Sequence, residues 1–71
     1  MCNGWEVIKA LQRGGFVTDT QESSHYTMWH PETRRHATVV VHGGRDVKPG
    51  TLRYIISQAG LTVEEFCQLL K

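Results

Sequence analysis

Cysteine is scarce in this chain of 71 residues: Cys2 and Cys67 stand at opposite ends with no CxxC spacing, a pattern that excludes a disulfide framework and a cysteine-based zinc knuckle. Both are expected to be free thiols. Long apolar runs are missing too. The longest, Ala37 to Val41, includes Thr38 and falls far short of a bilayer span. The start, Met1-Cys2-Asn3-Gly4-Trp5, lacks the basic segment and apolar run of a secretion signal, so a cytoplasmic protein with no membrane association is expected. Only two prolines are present, no Gly-, Pro- or Ser-rich tract interrupts the chain, and no internal repeat appears; residues 1–71 read as one domain. Walker and GxSxG sequences are absent, and Gly43-Gly44 alone does not make a phosphate loop, so no nucleotide cofactor is expected.

What remains is the composition of a folded unit. Hydrophobic residues make up 39% and charged residues 21%, which sets the chain apart from disordered polyelectrolytes. At this length nearly every apolar side chain is needed for one core. The net charge of +1 hides an asymmetry. Residues 34–53 carry Arg34, Arg35, Arg45, Lys48 and Arg53 against the single acid Asp46, whereas residues 1–33 hold Lys9 and Arg13 against Glu6, Asp19, Glu22 and Glu32. Localised positive potential suits a polyanionic partner better than a neutral metabolite, although a solvated basic face would look the same.

Asn3 followed by Glu6 forms a capping arrangement, and Val7, Ile8 and Leu11 then share one helical stripe before Gly14-Gly15, predicting a helix over 4–13. Phe16 to Gln21 is rich in aromatic and β-branched residues and predicts a strand, with Glu22-Ser23-Ser24 as the turn after it. His25 to His30 and Arg35 to Val41 flank Pro31-Glu32-Thr33-Arg34 and should pair antiparallel around that four-residue loop. His25 then faces Val40, Tyr26 faces Val39, Thr27 faces Thr38, Met28 faces Ala37 and Trp29 faces His36. One face carries Tyr26, Met28, Ala37, Val39 and Val41 and must meet the helices; the other carries His25, Thr27, Trp29, His36, Thr38 and Val40 and stays open. After the loop His42 to Lys48, Pro49 opens a helix with Leu52, Ile55, Ile56 and Ala59 inward, ended by Gly60. Thr62-Val63-Glu64-Glu65 is a second capping box, with Leu61 and Phe66 as its staple, and Cys67 is expected among the core residues of a short last helix that also turns Leu69 and Leu70 inward. The order α-β-β-β-α-α gives an α+β fold, a three-stranded antiparallel sheet with helices on one side.

Histidines stand at 25, 30, 36 and 42. No HxxxH pair falls on a predicted helix and no cysteine pair exists, so no metal site is expected. An imidazole on an open sheet face, a nearby aromatic and clustered arginines are the parts that metal-free RNA cleavage needs. RNA supplies its own nucleophile, the 2′-hydroxyl, and the protein adds a group that titrates near neutrality, cations for the phosphorane charge and a hold on an unstacked base. His25 is the candidate catalytic residue; Trp29, His36 and Ser24 are candidates for stacking or acid–base support. Arg34, Arg35, Arg45, Lys48 and Arg53 are candidates for binding RNA phosphates, the last three bracketing a helix start. His30 and His42 read as turn residues.

Ser24-His25, His30-Pro31, Asp46-Val47-Lys48-Pro49-Gly50-Thr51-Leu52-Arg53 and Gln58-Ala59-Gly60-Leu61-Thr62-Val63-Glu64-Glu65-Phe66 together resemble the HicA toxins over nearly the whole chain. The resemblance implies a fold like the double-stranded RNA-binding domain, metal-independent endonuclease activity on messenger RNA, and an antitoxin, HicB, that covers the active face and mediates any association with operator DNA. It also implies that the family's Gly-Ser-His histidine is His25. Ser23 stands where that pattern has glycine, a departure that bears on turn geometry and on activity, and Tyr26 stands where a second histidine is common. Two other readings follow from the same residues: a non-catalytic module for double-stranded RNA, although the usual lysine-rich helix start is missing, and a corepressor of its antitoxin left catalytically dead by Ser23.

Overall fold

The computed structural model describes residues 2–71 and orders them as helix α1 (Gly4–Arg13), strands β1 (Val17–Glu22), β2 (His25–Trp29) and β3 (His36–Val40), and helices α2 (Pro49–Gln58) and α3 (Val63–Leu70). The expected α-β-β-β-α-α order holds. Both capping boxes form. Asn3 Oδ1 accepts from the Glu6 amide at 3.0 Å and Glu6 Oε1 from the Asn3 amide at 3.0 Å; Thr62 Oγ1 and Glu65 Oε1 repeat the exchange at 3.1 and 2.9 Å. Each box satisfies two amides that a helix start leaves without intrahelical partners. At the other end of α3, the Arg13 guanidinium donates to the carbonyls of Leu69 and Lys71 at 2.8 and 2.9 Å, tying the last helix to the end of the first.

The sheet runs β1-β2-β3, antiparallel throughout. All five expected β2–β3 pairs are present, from His25 opposite Val40 to Trp29 opposite His36. Because side chains alternate along a strand, this register turns Met28, Ala37 and Val39 inward, where they are fully buried, with Tyr26 half-buried beside them. The helices supply Val7, Ala10, Leu11, Ile55 and Phe66 to the same core. The helical layer meets the sheet at β3, and β1 lies beyond it with all six residues exposed. A bulge between Thr18 and Thr20 bends β1, as edge strands commonly do to resist further pairing.

Two expectations need correction. Glu22 belongs to β1, paired with His25, so the β1–β2 turn contains only Ser23 and Ser24. Ser23 reaches that two-residue reversal with φ +55°, the left-handed region that favours glycine. Cys67 is exposed rather than part of the core: one helical step of about 100° carries it off the stripe that buries Phe66. Cys2 is buried, and desolvation by that burial, with Glu6 and Asp46 nearby, pushes its thiol pKa up. Neither thiol is in a disulfide. Among the described residues no helix is long and apolar enough to cross a membrane.

Candidate nucleic-acid-processing site

His25 opens β2 on the face turned away from the helices. Its cross-strand neighbours are Glu22 on β1 and Val40 on β3, and its ring is exposed. Ser24, just before it, accepts from the Val41 amide at 2.9 Å, which carries the β2–β3 ladder one residue past the end of β3. The following residues leave the sheet as the loop 42–48. Two contacts with the chain start hold this loop: a bridge between Asn3 and Asp46, and a bond from the Val47 amide to the Cys2 carbonyl at 2.9 Å. Val47 and Cys2 are both buried at that junction, so the polar residues on either side of Val47 are displayed from a fixed point.

The loop closes an open groove of about 580 Å³ lined by His25, Val40, His42, Arg45, Asp46, Val47, Lys48 and Thr51. Lys48 is the N-cap of α2 and makes no side-chain capping bond; Pro49 follows as the first helical residue. The first turn of α2 thus opens toward the groove with backbone N–H groups free of side-chain caps, a local positive end that adds to Arg45 and Lys48. Asp46 is the one acid in the lining. The groove thus sets two side-chain cations and an uncapped helix start beside an exposed imidazole.

The structure divides the sequence-derived candidates. It brings His25, Arg45 and Lys48 together, with Ser24 adjoining. Trp29 and His36 pair at the far end of the same face, ring centroids 6.2 Å apart and tilted by 35°; Trp29 is four steps along β2 from His25, about 13 Å at the usual rise. His36 is therefore not within reach of a group that His25 touches. Arg34 is exposed in the β2–β3 loop at φ +61°. Arg35 has the inward parity of Ala37 and Val39, and its guanidinium lies across Gly60, where any side chain would collide with it. Arg35 is exposed and does not line the groove; its guanidinium lies at the α2–α3 junction. Arg53 is exposed on α2, two residues and about 200° of helical rotation from Thr51, and so it points away from the groove. Position 26 also faces the helices, where the Tyr26 ring meets Trp5 edge-on at 5.4 Å; an imidazole there would not share a face with His25.

His42, Asp46 and Thr51 also line the groove; none was a candidate for its chemistry, and His42 makes a turn as expected, its carbonyl accepting from the Arg45 amide. The signal for His42 was present in the register. Val40 faces outward and Val41 inward, so residue 42 returns to the outer face beside His25. His30 is likewise a turn residue as expected, but away from the groove: its Nδ1 accepts from the amides of Glu32 and Thr33 at 3.2 Å each, and its ring packs edge-on against Phe16 at 5.0 Å. Among the described residues, no three side chains of His, Cys, Asp or Glu cluster closely enough to hold a metal ion.

No match to a curated protein is found. A family model described as the HicA toxin of bacterial toxin–antitoxin systems matches residues 4–61. That span runs from the start of α1 through Leu61 and takes in His25 and every residue that lines the groove. A toxin of such a system implies an antitoxin as partner. The chain belongs to the HicA family of toxins.

Proposed function

We propose that this toxin is an endoribonuclease that cleaves messenger RNA, with His25 as the proton-transfer residue and Arg45, Lys48 and the first turn of α2 holding the scissile phosphate. The observation that carries the reading is the shared groove, in which an exposed imidazole, two cations and an uncapped helix start converge. The chemistry follows from those parts. The 2′-hydroxyl of RNA attacks the adjacent phosphorus, an imidazole moves a proton, and fixed positive charge stabilises the phosphorane as its charge develops. The products are a 2′,3′-cyclic phosphate and a 5′-hydroxyl. Trp29 and His36, at the other end of the open face, hold an unstacked base by stacking, which suits single-stranded RNA.

The antitoxin covers this face, with Trp29 as a buried anchor, and any contact with operator DNA runs through it. Two features favour a catalytic toxin over a dead corepressor or a passive module for duplex RNA. Serine is accommodated at the left-handed position 23 while the Glu22–His25 pair closes, and the groove places His25 against cations rather than apolar side chains alone. The test is cleavage of single-stranded RNA by the purified chain in the presence of a chelator, compared with His25→Ala. Cleavage by the wild type with loss of about a hundredfold or more in the variant is expected; a strict requirement for added divalent metal, or an unaffected His25→Ala variant, refutes the proposal.

A further inference from the structure

We infer that His42 is a second proton-transfer residue, acting on the same phosphate as His25 from the other side. The inference deepens the ribonuclease reading above and rests on it. Transphosphorylation moves two protons at two different oxygens: as the 2′-oxygen bonds to phosphorus it releases one, and as the phosphorus–O5′ bond breaks the departing 5′-oxygen must gain one. A single imidazole performs both only if it moves across the phosphate or if water substitutes. Two imidazoles on opposite sides perform both in place, one taking the 2′ proton and one giving its own to the 5′-oxygen. The exchange through solvent resets both rings afterwards.

The geometry at the groove fits that division. His25 sits opposite Val40, and the bond from the Val41 amide to the Ser24 carbonyl extends the ladder by one more pair. His42, the first loop residue, follows Val41 at the end of the ladder where His25 sits. In a paired stretch that diagonal step spans about 7 Å, a spacing that admits a phosphate between two rings. Both side chains line the groove that holds Arg45 and Lys48. The backbone of His42 makes the turn, its carbonyl accepting from the Arg45 amide at 3.1 Å, and its exposed side chain contributes nothing to the core. His36, the other imidazole on this face, lies at the far end against Trp29 and does not compete for the role.

The experiment compares wild type, His42→Gln and His25→Gln on two short RNAs that differ at one atom: the natural linkage, and one with sulfur in place of the bridging 5′-oxygen, which departs without a proton. Thermal melting of each variant checks the fold. On the natural linkage both variants are expected to lose about 10²-fold or more in kcat, and the bell-shaped pH profile of the wild type loses one limb in each variant, a different limb for each. On the sulfur linkage one of the two variants recovers to near wild type and the other does not, which identifies the donor. A folded His42→Gln variant within about threefold of wild type, or one that keeps both limbs, overturns the inference while leaving His25 in place. Failure of both variants to recover on the sulfur linkage also overturns it. Absence of RNA cleavage by the wild type removes the ribonuclease reading and this inference with it.

Discussion

The groove can be weighed through the salt dependence of RNA binding. In a His25→Ala background, where substrate should stay intact, two side-chain cations face the phosphate site, Arg45 and Lys48. Each phosphate contact on a single strand contributes a slope of about −0.7 to log K against log salt. Raising salt from about 50 to 200 mM should therefore weaken binding about 2.5-fold per contact and about sevenfold for two. Lys48→Gln is expected to bring the sevenfold loss down to about 2.5-fold, with Arg45→Gln behaving alike. Arg35→Gln removes the same formal charge from the same basic stretch, but that guanidinium lies across Gly60, so its slope should equal that of the parent. Fluorescence anisotropy with a labelled single-stranded RNA at four salt concentrations measures all three. If Arg35→Gln flattens the slope as much as Lys48→Gln does, the phosphate path does not run through the groove and the reasoning fails.

Three further outcomes follow from the fold. Ser23→Gly should raise the melting temperature modestly: relief of the left-handed backbone is worth about 1 kcal/mol, partly offset by glycine's greater freedom when unfolded, and a lower melting temperature would contradict the strain at φ +55°. Gly60→Ala should cost about 1–3 kcal/mol, because position 60 combines φ +75° with the Arg35 guanidinium overhead; adding Arg35→Ala should recover only part of the loss in chemical denaturation. Cys67 should be alkylated well before Cys2 in the folded chain near neutral pH, since burial raises the Cys2 thiol and leaves less thiolate to react. The same shift means that Cys2 favours folding at neutral pH and that this contribution is lost as pH rises past about 9. Mass spectrometry of partly labelled protein reads the order, and equal rates would refute it.

Much of the architecture is legible in short stretches of sequence because local chemistry decides it. Asn3 with Glu6 and Thr62 with Glu65 can satisfy helix amides without help from the rest of the chain, and a four-residue loop after His30 leaves one register that buries Met28, Ala37 and Val39 together. Once that register stands, His25, Trp29 and His36 must share the open face. The site is legible only in part. Clustering along the sequence put Arg35 beside Arg34 and Arg45, but strand parity sends Arg35 to the helices; Arg53 shares a helix with Thr51 yet points elsewhere. His42 read as a turn residue because it follows the last strand, and its place next to His25 comes from the pairing of Ser24 with Val41.

What the sequence determines by itself are the properties set within a turn or two of helix or one hairpin: the caps, the strand alternation, the single imidazole at the head of β2 and the match to the HicA family from residue 4 to 61. Tertiary structure decided which charges meet that imidazole. The bridge from Asn3 to Asp46 and the bond from Val47 to Cys2 join residues more than forty positions apart, and no local pattern encodes such contacts. They anchor the loop after β3 so that His42, Arg45 and Lys48 converge on His25, while the parity of Arg35 lays its guanidinium across Gly60 instead.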